Sequence, residues 1–187
     1  MSKLSKYLLL ASFFGTCGES MITPLYGMFV SKIGGSIIDA GVGYAIFSIL
    51  TGVIIYLSGK IKWFTNNLEL VVFLGFLISS IGDFSYFFVH NAFGLFLVQA
   101  TNGISVGLLN PAWETLYTED TEEGEAHKSW ILWGAGVNIS IGVAALLSAC
   151  ITTLFSFKTM FITTALVNGI AVYYSFSIYN KRDKLRK

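Results

Sequence analysis

The stretch FFGTCGESMITPLYG, residues 13–27, places a carboxylate and a proline inside a run that is otherwise apolar enough to lie in hydrocarbon. Around Glu19 the polar residues Ser12, Thr16, Thr23 and Tyr26 recur at spacings of four, three, four and three, so all five share one face of a helix. The other faces are apolar. This pattern describes a membrane-spanning helix with one side turned away from lipid. An ionised carboxylate near the bilayer centre costs about 3 kcal/mol even on insertion scales. Glu19 is therefore expected to face a water-filled cavity or a partner, or to stay protonated. No Lys or Arg lies at comparable depth in any predicted helix, so an intrachain salt bridge to Glu19 is not expected.

The rest of the chain has the same character. Of 187 residues, 54% are hydrophobic and 12% charged, and the mean hydropathy is +0.68, more than a water-soluble domain of this length needs for its core. Six stretches are long enough to cross a bilayer, which takes about 20 mostly apolar residues: 7–31, 37–58, 68–89, 92–114, 129–154 and 158–179. Between them lie SKIGGS, SGKIKWFTNN, a turn at His90 and Asn91, the acidic TEDTEEGEAHKS and a tight SFK. With the N-terminus inside, the cytoplasmic segments hold Lys3, Lys6, Lys60, Lys62, Lys128, Lys181, Arg182, Lys184, Arg186 and Lys187, against only Lys32 and Lys158 outside. Positive residues stay on the cytoplasmic side, so both termini are expected there. The tail KRDKLRK reads as a topology anchor. The basic start and short apolar run of MSKLSKYLLLASFFGTC resemble a signal peptide, but the apolar character continues to about Val30, so the segment reads as a retained first helix. Cys17 and Cys150 fall within predicted spans, where thiols act as small hydrophobes, and support neither a disulfide nor a metal site.

The only two prolines, Pro24 and Pro111, fall late in the first and fourth helices, in the similar settings Thr23-Pro24-Leu25-Tyr26 and Asn110-Pro111-Ala112-Trp113. Because these helices run in opposite directions, the prolines are expected near opposite membrane faces, as in an inverted three-plus-three repeat with helix breaks beside the binding region. The fourth helix adds Gln99, Asn102, Asn110, Trp113, Glu114 and Tyr117. Of these, Gln99, Asn110, Trp113 and Tyr117 fall on one broad side, and Glu114 is near the cytoplasmic end. Asp83 lies in the outer third of the third helix, beside Gly82, whereas Asp39 and Glu69 stand at helix starts and meet the helix dipole favourably. In the fifth helix Gly134, Asn138 and Gly142, continued by Ala145 and Ala149, form a small-residue stripe suited to close helix packing, with Asn138 also able to meet a ligand.

FLVQATNGISVGLLNPAW (96–113), followed by an acidic loop and WGAGVNISIG (133–142), resembles the major facilitator superfamily of secondary transporters. Gln99, Gly103, Gly107 and Pro111 match that family's fourth helix, with Phe96 in place of its Arg and Ala100 in place of its Gly. In GVIIYLSGK, Gly52, Gly59 and Lys60 keep the register of its loop between helices 2 and 3, while Tyr56 and Leu57 replace an Asp and an Arg. Val143 after Gly142 departs from the fifth-helix pattern of drug antiporters. The resemblance spans the chain and corresponds to one six-helix half of a family member, in which substrate lies between two halves. It implies pairing with a second copy or with another half-size subunit.

Gly103-Ile104-Ser105-Val106-Gly107 also satisfies the nucleophile pattern Gly-x-Ser-x-Gly. A rhomboid-type protease requires a histidine in the sixth helix as well, and residues 158–179 contain none. His90 and His127 fall at opposite membrane faces, and the Ser-Ile-Gly-Asp of residues 80–83 lacks the Gly-x-Gly-Asp of aspartyl intramembrane proteases. No catalytic residue, metal or cofactor is expected. The expectation is an all-α integral membrane protein of six transmembrane helices, a single domain over 1–187 with repeat units of about 1–90 and 91–187. It is read as a secondary transporter of a small solute in the cell (plasma or inner) membrane, coupled to protons or ions and working as a homodimer. The alternative is a non-transporting binding or assembly subunit of the same fold. Thr16, Glu19, Thr23, Tyr26, Gln99, Asn102, Asn110, Trp113 and Asn138 are the cavity candidates, with Glu19 and Asp83 the coupling candidates. The expected partners are the lipid bilayer, the second subunit and the solute, with no nucleic acid.

Overall fold

The computed structural model describes residues 2–122 and 124–181, so Arg182, Lys184, Arg186 and Lys187 of the basic tail lie outside the described residues. Among the described residues, six helical segments are long and apolar enough to cross a membrane, and there is no strand. The first span consists of α1 (Lys3–Ile22), a 3-10 turn over Thr23–Leu25 and α2 (Tyr26–Lys32). Then come α3 (Ile37–Ser58), the short α4 (Lys62–Asn66), α5 (Leu68–Ser85) with a 3-10 extension over Tyr86–Phe88, α6 (Ala92–Glu119), α7 (Ala126–Leu154) and α8 (Phe157–Asn180). The expected spans are all present. Their ends differ where hydropathy stops but hydrogen bonding continues: α6 runs on to Glu119, α7 begins at Ala126, and the polar SGKIKWFTNN holds α4.

Local chemistry sets several ends. Ser36 and Asp39 form a reciprocal capping box at the start of α3. Asn91 and Ser156 cap α6 and α8 through their side chains. Gly34, at φ 79°, takes the left-handed conformation that turns the chain between α2 and α3. At the opposite end of the bundle Asp120, just past α6, accepts hydrogen bonds from the Ser5 backbone N–H (2.8 Å) and from the hydroxyls of Ser2 and Ser5. The end of the fourth span is thereby fastened to the start of the first.

The two prolines behave differently. Pro24 interrupts the first span as a 3-10 turn in which no residue is buried. The break expected at Pro111 is absent, and α6 continues through it. Buried Leu109, Ala112, Trp113 and Leu116 hold the helix on both sides of Pro111, and the Trp113 indole donates to the Leu8 carbonyl at 3.0 Å. Packing thus carries the helix through a residue that breaks an unsupported one.

The main helix pairs are α5 with α6, α3 with α6, α1 with α8, α5 with α8 and α1 with α7. Exchanging the first three spans with the last three leaves this set unchanged. Glycines allow the close approaches. A Cβ on Gly103 would stand 2.6 Å from the Phe47 carbonyl oxygen, one on Gly107 2.7 Å from Ile54, and one on Gly75 2.8 Å from Leu109. Between the first two, buried Ser105 donates to the Gly75 carbonyl at 2.7 Å. The Gly-x-Ser-x-Gly segment is therefore a packing device joining α6 to α3 and α5, and its hydroxyl is engaged with the backbone.

Two apolar clusters result, one around Leu8, Val72, Trp113, Leu116 and Ile178, the other around Met21, Phe29, Val30, Leu95 and Phe161. In the small-residue stripe of α7, expected to pack closely, the glycines stand open: among the described residues a Cβ on Gly134 or Gly142 would have no neighbour within 4 Å. Cys150 is likewise exposed rather than buried on this helix. Gly41 and Gly52 on α3 are equally open, and only 6% and 11% of the most apolar windows of α3 and α7 are buried.

These contacts predict opposite outcomes for two like substitutions. Gly103→Ala, facing backbone, is expected to lower stability by about 1–3 kcal/mol. Gly134→Ala, in open space within a helix, is expected to leave it unchanged or raise it by up to about 1 kcal/mol. Thermal unfolding of the two purified variants in the same detergent measures the difference.

Candidate functional site

The polar residues of the interior gather in one layer between the two apolar clusters. α1 supplies Glu19, whose Oε1 accepts a hydrogen bond from the Ser79 hydroxyl of α5 at 3.2 Å. One helical turn from Ser79 is Asp83, only 1% exposed. Its Oδ1 accepts from Asn102 Nδ2 of α6 at 3.1 Å and its Oδ2 from Asn168 Nδ2 of α8. Glu19 and Asp83 are near enough to interact electrostatically. Among the described residues the one salt bridge joins Lys128 to Glu125 at the surface, so neither interior carboxylate has a cationic side chain beside it.

Two cavities meet at this layer. The larger, about 290 Å³, occupies the half of the bundle away from the N-terminal end of α1. Glu19, Thr23, Tyr26, Asp83, Gln99 and Asn102 provide its polar lining, and Tyr44 and Phe47 of α3 form an aromatic wall. Gly43 makes room for the Tyr26 hydroxyl, which would lie 2.4 Å from a Cβ at that position and donates to the Ala40 carbonyl at 3.4 Å. The smaller cavity, about 140 Å³, lies toward the N-terminal end of α1 and is lined by Ser12, Thr16, Glu19, Asn110, Trp113, Glu114 and Trp133. There the Trp133 indole donates to the Ser12 hydroxyl at 3.0 Å, and Trp113 stacks on Tyr117, whose hydroxyl donates to the Ser129 carbonyl at 2.8 Å.

Among the described residues Glu19 alone lines both cavities. Eight of the nine sequence-derived cavity candidates line one or the other, and Asp83 joins them. Asn138 does not. It is exposed on the open face of α7, where its Nδ2 donates to the Gly134 carbonyl at 2.8 Å. Asp39 serves its capping box, and Glu69 is buried in the first turn of α5.

Sequence reasoning missed Ser79 and Asn168. A lone amide in the apolar run TTALVNGIAV is visible in the sequence, but its partner Asp83 is 85 residues away. Asn168 matters because its side-chain oxygen, like that of the expected Asn102, is buried without a hydrogen-bond partner among the described residues. Each such omission costs about 1–3 kcal/mol.

The placement of Glu19 between the cavities predicts sided access to its neighbours. In a Cys17→Ser, Cys150→Ser background, a cysteine at Thr23 and one at Thr16 are expected to react with a membrane-impermeant maleimide from opposite sides of the membrane. Labelling of right-side-out and inside-out vesicles reads this directly.

A family model described as Major Facilitator Superfamily matches residues 8–187. Among curated proteins, none matches the chain.

Proposed function

The chain belongs to the major facilitator superfamily, and from that premise we propose that it is a secondary transporter of a small solute, coupled to proton or cation movement through Glu19 and working as a homodimer of six-helix units. The observation that carries this reading is the position of Glu19 in the wall of both cavities. A carboxylate shared by two cavities gains or loses water from one side or the other as the helices around it rock. Its charge state is then tied to which cavity is open. Thr23, Tyr26, Gln99 and Asn102 offer hydrogen-bonding groups on one side, and Thr16, Asn110 and Trp113 on the other. A volume of about 290 Å³ lies at the small end of ligand sites and supports a small solute.

Pairing is supported by the unpartnered faces of α3 and α7. Gly134 and Gly142 on one, and Gly41 and Gly52 on the other, leave surfaces that admit another helix closely. A twofold arrangement of two copies is the commonest closed assembly. The second reading, a binding or assembly subunit that does not transport, is favoured by Phe96 and by Tyr56-Leu57, which stand where the family carries charge.

The two readings part on one variant. Glu19→Gln keeps an acceptor for Ser79 and is expected to fold with stability within about 1 kcal/mol of the parent. In liposomes it is expected to lose uphill solute accumulation driven by an imposed proton or cation gradient. Unchanged accumulation in the variant would remove Glu19 from coupling, and no flux in either protein would favour the assembly subunit. For pairing, native mass spectrometry in nanodiscs is expected to give a dimer that Gly134→Leu and Gly142→Leu shift to monomer. A concentration-independent monomer of the parent chain would overturn it.

A further inference from the structure

Asp83 has surroundings that Glu19 chemistry leaves unused. Two other helices, α6 and α8, converge on it, and its two carboxylate oxygens are each met by one asparagine amide, from Asn102 and Asn168. Both amides use their nitrogens and leave their oxygens buried and unpartnered. Asn168 itself is 1% exposed. The amide heads are held where they are by glycines: a Cβ on Gly82 would lie 1.9 Å from Asn102 Oδ1, and one on Gly18 2.5 Å from Asn168 Oδ1. An amide head is nearly symmetrical in shape, so a half-turn about Cβ–Cγ exchanges nitrogen and oxygen without changing the packing. After that turn two neutral oxygens converge beside the Asp83 carboxylate.

We propose that Asp83, Asn102 and Asn168 form a binding site for a sodium ion, entered from the larger cavity, which Asp83 and Asn102 line. Three oxygen donors with no sulfur or imidazole among them suit a hard cation. One carboxylate and two neutral amides balance a single positive charge, whereas a divalent ion would leave net charge in a dry interior. The amide heads lie at hydrogen-bond distance from the carboxylate, a compact spacing that favours sodium over potassium. In the ion-free form the amides donate to the carboxylate and their oxygens stand idle. In the bound form the oxygens take the ion. The titratable groups nearest Asp83 are Glu19 from α1 and Tyr86 from its own span. As a statement about coupling the proposal rests on the transporter reading above, but as a statement about binding it is tested without flux.

The test is thermal unfolding of the purified full chain at fixed pH and ionic strength, with sodium chloride replaced stepwise by potassium or choline chloride. Sodium is expected to raise the unfolding temperature saturably, potassium and choline not. Asp83→Asn is expected to abolish the sodium effect and Glu19→Gln to keep it. Asn102→Ser and Asn168→Ser, which retain the carboxylate, are expected to weaken apparent sodium affinity about tenfold or more, and they carry the test if Asp83→Asn does not fold. Equal stability of the parent in all three salts overturns the proposal, as does a sodium effect that survives in Asp83→Asn. Absence of solute flux in liposomes alongside sodium-dependent stability counts against the transporter reading alone.

Discussion

A polar group taken into hydrocarbon must find its partners inside the protein, and Asp83 is where this chain meets that constraint. No cationic side chain reaches it among the described residues, so the bundle surrounds it with neutral donors from two other spans. Much of the tertiary arrangement follows from this. Gly82 and Gly18 are bare where the amide heads press against their helices. α8 and α6 are drawn to α5 at the same level. Two apolar clusters close above and below, leaving one polar layer in an otherwise dry interior.

Within that layer the two carboxylates have different surroundings and therefore different capacities. Glu19 is half-buried, holds one hydroxyl and borders cavities on both sides. Asp83 is enclosed and borders only the larger cavity. A group that meets water from two directions suits sided exchange. A group enclosed by amides suits the retention of something small. Burial and hydrogen bonding, rather than residue type, distinguish them, though both line the larger cavity.

Glycine shows how far local pattern can be read. The glycines of α6 and those of α7 are similar in sequence, and both sets suggest close helix contact. Gly103 and Gly107 do lie against α3, while Gly134 and Gly142 face outward. A helix pattern records that one face is small but not which neighbour lies against it. The prolines teach the same lesson. Pro24 and Pro111 sit in matching sequence settings, yet only Pro24, in a turn that buries nothing, interrupts its span. At Pro111 the helix runs on, packed by buried neighbours and by the bond from Trp113 to Leu8.

The six spans, the wet face of the first helix and most of the cavity residues were legible in the sequence. Hydropathy over about 20 residues and spacing along one helix are local quantities, set by bilayer thickness and by 3.6 residues per turn. Resemblance to the superfamily was legible too, because its helix motifs are contiguous. The tertiary structure alone decided that Glu19 borders two cavities, that Asn138 faces away from both, and that Asn168 closes on Asp83 from 85 residues away. These depend on which helix lies beside which. That choice is made by the close approaches that glycines permit and by the need to partner buried polar groups, terms that exist only once the helices pack together.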